Sequence, residues 1–321
     1  MHKKVVVRTV KTVGRKPLND IFNSLDVFDS FKGKKVFIKP NLVCSETSDT
    51  GATIDPKLIS LLIKSFVEKG YKVTVGEAGA NHFISEETFD QLNIYSLCEE
   101  NGAKFVNLNT CPMQKMKLVD GFRPVKFPKP VLDADHIVNL PKLKTHNATR
   151  VSFSIKNLYG LLPGDEKWEG HRFGLNKFLI ALATKVPVDL IIVDALTSMH
   201  GLGPTLGLSL KTNMLIGSND MISCDHFCSK LMKVNPMTVG HLRPLMKELP
   251  QYETDGEYKE YDFKVPGKQT VAPMYLAQKI FFGHAKYMKP IGIDIKALMR
   301  TFMTQDRISF IKRVQKKMYK L

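Results

Sequence analysis

Residues 34–107 alternate two hydrophobic periods, and that alternation limits what this chain can fold into. "KKVFIKPNL" (34–42), "YKVTVGEAG" (71–79) and "AKFVNLN" (103–109) are short β-rich runs. Between them lie "DPKLISLLIKSFVEKG" (55–70) and "SEETFDQLNIYSLCEENG" (85–102), whose apolar residues recur at helical spacing. Asp55 suits a helix N-cap, Pro56 the first turn and Gly70 the stop. Ser85 and the acids after it open the second helix. Strand–helix–strand–helix–strand is the order of a parallel sheet covered by helices. "DLIIVDAL" (189–196) and "NMLIGS" (213–218) read as further buried strands, and 219–233 as a helix. The expected fold is α/β, a mostly parallel sheet flanked by helices.

A chain of 321 residues with 43% hydrophobic and 24% charged content can bury a sizeable core, so disorder is not its main state. Its net charge of +16 predicts attraction to an anion: a phosphorylated or carboxylate substrate, nucleic acid or an acidic membrane surface. A well-solvated basic surface is the other reading. Over residues 274–321, eleven Lys or Arg face two acids, with aromatic and aliphatic residues interleaved. That pattern predicts basic amphipathic helices. Residues 1–270 are expected to form the α/β domain and 271–321 a helical tail. The tail either caps the sheet or docks on an anionic membrane surface or a partner. Nucleic acid is disfavoured, since no nucleic-acid motif accompanies the charge.

Five cysteines, at 44, 98, 111, 224 and 228, fit no disulfide framework and suggest a reducing compartment. No C-x-x-C-x-x-C run is present, and Cys224 and Cys228 are two ligands short of a metal site, so no metal is expected. The composition names no cofactor. The N-terminal apolar run is too short for a signal peptide, and no stretch reaches membrane-span length. A cytoplasmic protein, or one at the inner membrane face, is expected.

Ligands of open parallel sheets bind beyond the carboxyl ends of the strands. Those ends carry Lys39 and Asn41; Glu77, followed by Asn81 and His82; Lys142, Lys144 and His146; and Asp194. In an extended segment Lys142, Lys144 and His146 share one face. Two ammonium groups and an imidazole suit a carboxylate or phosphate, and His146 suits proton transfer near neutral pH. The same three residues also fit an edge strand guarded by lysines. "VSFSIKNLYG" (151–160) alternates like a half-buried strand with Lys156 on its polar side, ending in a turn at Asn157 and Gly160. "GDEKWEGHR" (164–172), with His171, reads as a charged loop that either closes over a site or is solvated. "GLGPTLG" (201–207) matches no phosphate-binding loop, although amides around Gly201 and Gly203 are able to approach an anion.

Taken in order, "IKPNLV" (38–43), "GATIDP" (51–56), "KVTVGEAG" (72–79), "LPKLKTH" (140–146), "SIKNLYGLLPG" (154–164) with His171, "GLGPTLG" and "GSNDMISCD" (217–225) resemble the domain of unknown function 362 family. The resemblance covers about residues 38–240 and excludes the tail. It implies a soluble α/β domain whose polar signature residues converge, and it supplies no reaction. Many such proteins carry a fused ferredoxin-like segment. This chain lacks the cluster cysteines, which leaves an external iron–sulfur redox partner as the implied alternative. "GATIDP" followed by "GEAGANHFISEETF" (76–89) is also similar to the N-terminal half of lactate-racemase-like proteins, which implies acid–base chemistry by Lys and His. With the family signature the site reading of 140–160 is preferred over the edge strand. The expectation is an enzyme acting on an anionic small molecule or a sugar or lipid phosphate. Lys39, Lys142 and Lys144 would hold the anion, and His146, Lys156 and Lys144 would do the proton transfer. Asn41, Asp55, Glu77 and Asn157 would orient it, with His171, Asp194, Gly201 and Gly203 lining the site. The competing expectation is a non-catalytic ligand-binding or scaffold protein docked at a membrane or on a redox partner.

Overall fold

The short β-rich runs do form adjacent strands, at one end of one large sheet. A computed structural model describes residues 2–79, 85–265, 267 and 305–319. Twelve strands occur among them. They are β1 (Lys4–Thr9), β2 (Lys35–Lys39), β3 (Lys72–Glu77), β4 (Ala103–Asn107), β5 (Met113–Met116) and β6 (Val125–Pro128), then β7 (His136–Asn139), β8 (Lys142–His146), β9 (Arg150–Ser152), β10 (Leu190–His200), β11 (Leu208–Ser218) and β12 (Glu253–Asp255). The main sheet runs β12-β1-β11-β10-β7-β2-β3-β4, and β5 and β6 make a separate hairpin. Strands β10, β7, β2, β3 and β4 are parallel to one another, while β11 runs antiparallel to both of its neighbours.

Strands β7 and β8 follow one another along the same edge of β10. Pro141 separates them. It has no N–H to give a ladder, but its carbonyl accepts from the Asp194 amide at 2.9 Å. All five residues of β8 are buried, between β10 and β9. The guarded edge strand is therefore excluded.

Alternation along each strand feeds two cores. Val5, Val7 and Phe37 pack under helices Leu175–Lys185 and Met221–Leu231; Val6, Val36 and Ile38 pack under Arg15–Ser24, Pro56–Val67 and Ile94–Glu100. The Pro56–Val67 helix starts as expected, with the Asp55 carboxylate accepting from the Lys57 amide and Pro56 in the first turn. Met221–Leu231 occupies the helix expected over 219–233.

Three local expectations are corrected. The second helix breaks into Ser85–Gln91 and Ile94–Glu100, because Asn93 adopts a left-handed conformation (φ 50°). "VSFSIKNLYG" is a strand only to Ser152; Ser154–Asn157 is a helical turn and Leu158–Leu161 a 3-10 turn. The cause lies far along the chain. The buried Asp225 carboxylate accepts from the Ser154 amide at 2.9 Å and the Ile155 amide at 3.1 Å, and so caps the turn. "GDEKWEGHR" is not a loop but most of the helix Gly164–Phe173, with Asp165 and Glu166 in its first turn.

In the basic C-terminal segment, Gln305–Tyr319 is a helix, as its pattern predicts. The expected boundary at 270/271 and the segment up to 304 lie outside the described residues. The helix meets the glycine-rich loop through the buried Gln315. Its Oε1 accepts from the Leu202 amide at 2.9 Å, and its Nε2 donates to the Leu206 carbonyl at 2.7 Å.

Candidate functional site

Strands β2 and β3 lie side by side and parallel, so their last residues, Lys39 and Glu77, emerge at the same end of the sheet. The fully buried Lys39 Nζ donates to Glu77 Oε2 at 2.6 Å and to the Pro40 carbonyl at 2.7 Å. Glu77 Oε1 also accepts from the amides of Ala78 (2.9 Å) and Gly79 (3.1 Å). Burial holds the Lys39 ammonium below the ordinary lysine range, although Glu77 opposes the shift. Gly160 packs against this pair. A Cβ there would lie 2.3 Å from Glu77 Oε1 and 2.5 Å from Lys39 Nζ.

A relay of amides joins the pair to β8. Lys144 Nζ donates to Asn41 Oδ1 at 2.8 Å and to the Ala52 carbonyl at 2.6 Å. Asn41 Nδ2 donates to Asn157 Oδ1 at 2.9 Å. Asn157 Nδ2 in turn donates to Asn139 Oδ1 at 2.8 Å and to the Lys39 carbonyl at 3.1 Å. Desolvation, reinforced by the charges of Lys156 and Lys142, pushes Lys144 down to about 7. Lys142 makes a fully buried ion pair with Asp194, at 2.9 Å.

Lys156 stands apart. It is half-buried, its Nζ lies 5.0 Å from the centre of the Tyr159 ring, and it makes no hydrogen bond among the described residues. Desolvation and the nearby Lys39 lower it to about 8. Lys167, on the Gly164–Phe173 helix, donates to the Gly79 carbonyl and is lowered by burial to about 7.

Two histidines complete the cluster. His146 Nδ1 accepts from the Ala148 amide at 3.0 Å, which places its proton on Nε2. Burial, with Lys156 and Lys144 close by, holds it well below its usual value. It is therefore a neutral hydrogen-bond donor near neutral pH. His241 is fully buried, neither ring nitrogen has a partner among the described residues, and burial lowers it to about 3.

Of the sequence-predicted residues, Lys39, Asn41, Glu77, Lys142, Lys144, His146, Lys156, Asn157 and Asp194 thus meet at one end of the sheet. His171 joins them half-buried, edge-on to the Tyr159 ring at 5.4 Å. Asp55 contributes its amide, to Asp194 Oδ2 at 2.9 Å, while its carboxylate is spent on the helix cap. Gly201 and Gly203 pack rather than offer amides. The Gly201, Leu202 and Gly203 amides bond to the Lys264 carbonyl, Gln315 Oε1 and the Gly201 carbonyl, and a Cβ on Gly203 would meet the Thr145 carbonyl at 2.1 Å. Asn81 and His82 lie outside the described residues.

Lys167, His241, Asn139 and Asp225 are additions that sequence reasoning missed. Lys167 sits in a charged run that reads as a loop, closing or solvated, in which His171 is singled out, and His241 stands alone in "TVGHLRP". Among the described residues, no group of three His, Cys, Asp or Glu side chains is placed to hold a metal ion.

The arrangement can be set beside known proteins. Over 223 residues the chain is 26% identical to a thylakoid-associated protein of Synechocystis sp., covering 64% of this chain and 65% of that relative. The chain thus spans just under two thirds of the relative's length. The lactate racemase apoprotein from Thermoanaerobacterium thermosaccharolyticum superposes with a TM-score of 0.48 at 11% identity, over 72% of this chain and 57% of that one. Residues 36–230, which contain every strand-end residue of the cluster, match the family described as domain of unknown function (DUF362). The chain belongs to that family.

Proposed function

We propose that the protein is an enzyme that binds an anionic small molecule and moves a proton on it with a buried lysine. One observation carries this reading: Lys144 and Lys167 are buried, Lys156 is half-buried with its charge acting on both, and none of the three has a carboxylate within ion-pair distance among the described residues. Buried cations without counter-charges are costly, so such a cluster is favoured by a ligand that supplies the charge or by proton loss from the lysines. Both suit catalysis. The ligand gains an electrostatic anchor, and a lysine lowered to about 7 or 8 is a competent base at neutral pH. His146 serves as the neutral Nε2–H donor toward the developing charge, a refinement of the proton-transfer role expected from its sequence position. Lys39–Glu77 and the Asn41–Asn157–Asn139 relay hold the frame.

The test is thermal unfolding of the intact chain across a panel of carboxylates and phosphate monoesters. A raised midpoint with at least one of them is expected. Lys144→Met and His146→Ala should lose that shift while keeping a cooperative transition. If no anion shifts the native chain, the reading fails.

A second reading rests on the Gln305–Tyr319 helix. Phe310, Val314 and Met318, four apart, are 60%, 45% and 60% exposed on its outer face, beside the exposed Arg313, Lys316 and Lys317. We infer that this stripe docks on an anionic lipid surface, in keeping with the thylakoid-associated name of the relative. No helix of the described residues is long and apolar enough to cross a membrane. Sedimentation with anionic and neutral vesicles tests it; Phe310→Ser with Met318→Ser should leave the chain in the supernatant. Unchanged sedimentation refutes the docking.

A further inference from the structure

The site contains five lysines and two carboxylates that face them, and that imbalance specifies a ligand. Lys39 is paired with Glu77 and Lys142 with Asp194. Other buried carboxylates nearby are engaged elsewhere. Glu166 lies 3.0 Å from Arg123 and also accepts from the Lys126 amide, and Asp225 caps the Ser154 turn. Three cations are left: Lys144, Lys156 and Lys167.

Their unused hydrogen atoms can be counted. An ammonium has three donors. Lys144 uses two, on Asn41 and Ala52; Lys167 uses one, on Gly79; Lys156 uses none. Six donors are therefore uncommitted among the described residues. Lys156 is also the electrostatic centre of the group, because its charge acts on Lys144, Lys167, His146 and His241 alike. His241 adds one donor and one acceptor, both without a partner among the described residues. A monoanion would leave two of the three cations uncompensated. A dianion leaves one, which by losing its proton becomes the base that the acid–base reading requires.

We propose that the site takes a small dianion, a phosphate monoester or a dicarboxylate, seated on Lys156 between Lys144 and Lys167. This rests on the acid–base reading and narrows its substrate class. Ammonium groups are point charges and serve phosphate and carboxylate alike, so the experiment carries both arms. Binding also draws protons in. Near neutral pH the lysines lowered to about 7 and 8 are partly deprotonated, and a second negative charge raises them. Lys39, Cys44, Glu77, Lys142, His146, His171 and His241 are the other titratable groups around them.

The experiment is isothermal titration of the full chain near neutral pH, in two buffers of different ionisation heat. Methyl phosphate is compared with dimethyl phosphate, and malonate with acetate. The dianion of at least one pair should bind roughly tenfold or more tighter than its monoanion, with net proton uptake. Whichever pair discriminates identifies the source of the charge. Lys156→Met should abolish the difference, and Lys167→Met should reduce it; unfolding curves without ligand confirm that both fold. Equal binding of dianion and monoanion in both pairs overturns this proposal and leaves the acid–base reading standing. No binding of any of the four overturns both. The native ratio decides the question even if neither variant folds.

Discussion

Lys156 and Asn157 are neighbours in sequence and opposites in bonding. The Asn157 amide is committed on both sides, to Asn41 and to Asn139 and the Lys39 carbonyl, whereas the Lys156 ammonium rests on the Tyr159 ring without a hydrogen bond among the described residues. One side chain fixes the helical turn to the sheet, and the next presents a charge from it.

The Lys39–Glu77 pair should behave as a coupled unit. Glu77→Gln strips the counter-charge from a fully buried ammonium and is expected to cost about 3–5 kcal/mol in urea unfolding. Adding Lys39→Met to that variant should recover much of the loss. Strict additivity of the two changes would show that the pair is not coupled.

Stability should rise with pH above neutrality. A lysine lowered in the fold binds fewer protons there than in the unfolded chain, where it titrates near about 10.4. Between the two values unfolding takes up protons, so the folded state gains as pH increases. Lys144 and Lys167 at about 7 and Lys156 at about 8 open this window at its lower end. Asp225, raised by burial to about 8, acts in the opposite direction, but only below that value. From pH 8 to 10 the lysines therefore act without it. Each contributes on the order of 1 kcal/mol per pH unit. Lys144→Met should flatten the rise in unfolding midpoint over that range.

Asp225→Ala should release the Ser154 and Ile155 amides and loosen the turn that carries Lys156. Two buried donors lose their acceptor, at a cost of about 1–3 kcal/mol each. Anion-induced thermal shifts should weaken as well, although Asp225 makes no ion pair with the lysines among the described residues. A variant that loses stability and keeps full ligand response would separate the cap from the site.

Gly160→Ala forces a methyl group onto Glu77 and Lys39. It should destabilise the chain by about 1–3 kcal/mol and remove anion binding. Gly14→Ala, with nothing within 4 Å of the added carbon, is the matched control and should cost a few tenths of a kcal/mol.

Gln315→Ala should unlatch the C-terminal helix. The Leu202 amide then loses its acceptor, and its hydrogen exchange should accelerate while exchange in β10 stays slow. Unchanged protection at Leu202 would mean that the helix is held by other contacts.

Between residues 34 and 107 the order of strands and helices was legible, apart from the break at Asn93, because each element satisfies its own local rule: period, cap and stop. The strand ends were legible for the same reason, since the terminal residue of each parallel strand falls at one edge. Lys156 was assigned the wrong element because its turn is capped by Asp225, 69 residues later, which no local pattern encodes. Lys167 was hidden because "DEKWE" reads as a charged loop with no residue marked out, and only the fold shows the lysine turning inward to Gly79. Gly201 and Gly203 suggested an anion loop. Their amides bond to the Lys264 and Gly201 carbonyls, and the Leu202 amide between them is taken up by a helix 113 residues downstream.

The amide relay has a consequence for how the chain is made. Asn41 meets Asn157 across 116 residues, and Lys144 meets Asn41 across 103. Such closures come late, because a chain must surrender much of its freedom before distant partners reward it. A ribosome-bound or truncated chain that stops short of Asn157 can pair β2, β3 and β4 but lacks both partners of β1 and cannot close the relay. Ligand response is therefore a stringent indicator of completed folding, and a partly folded population would be counted as inactive rather than as weakly active.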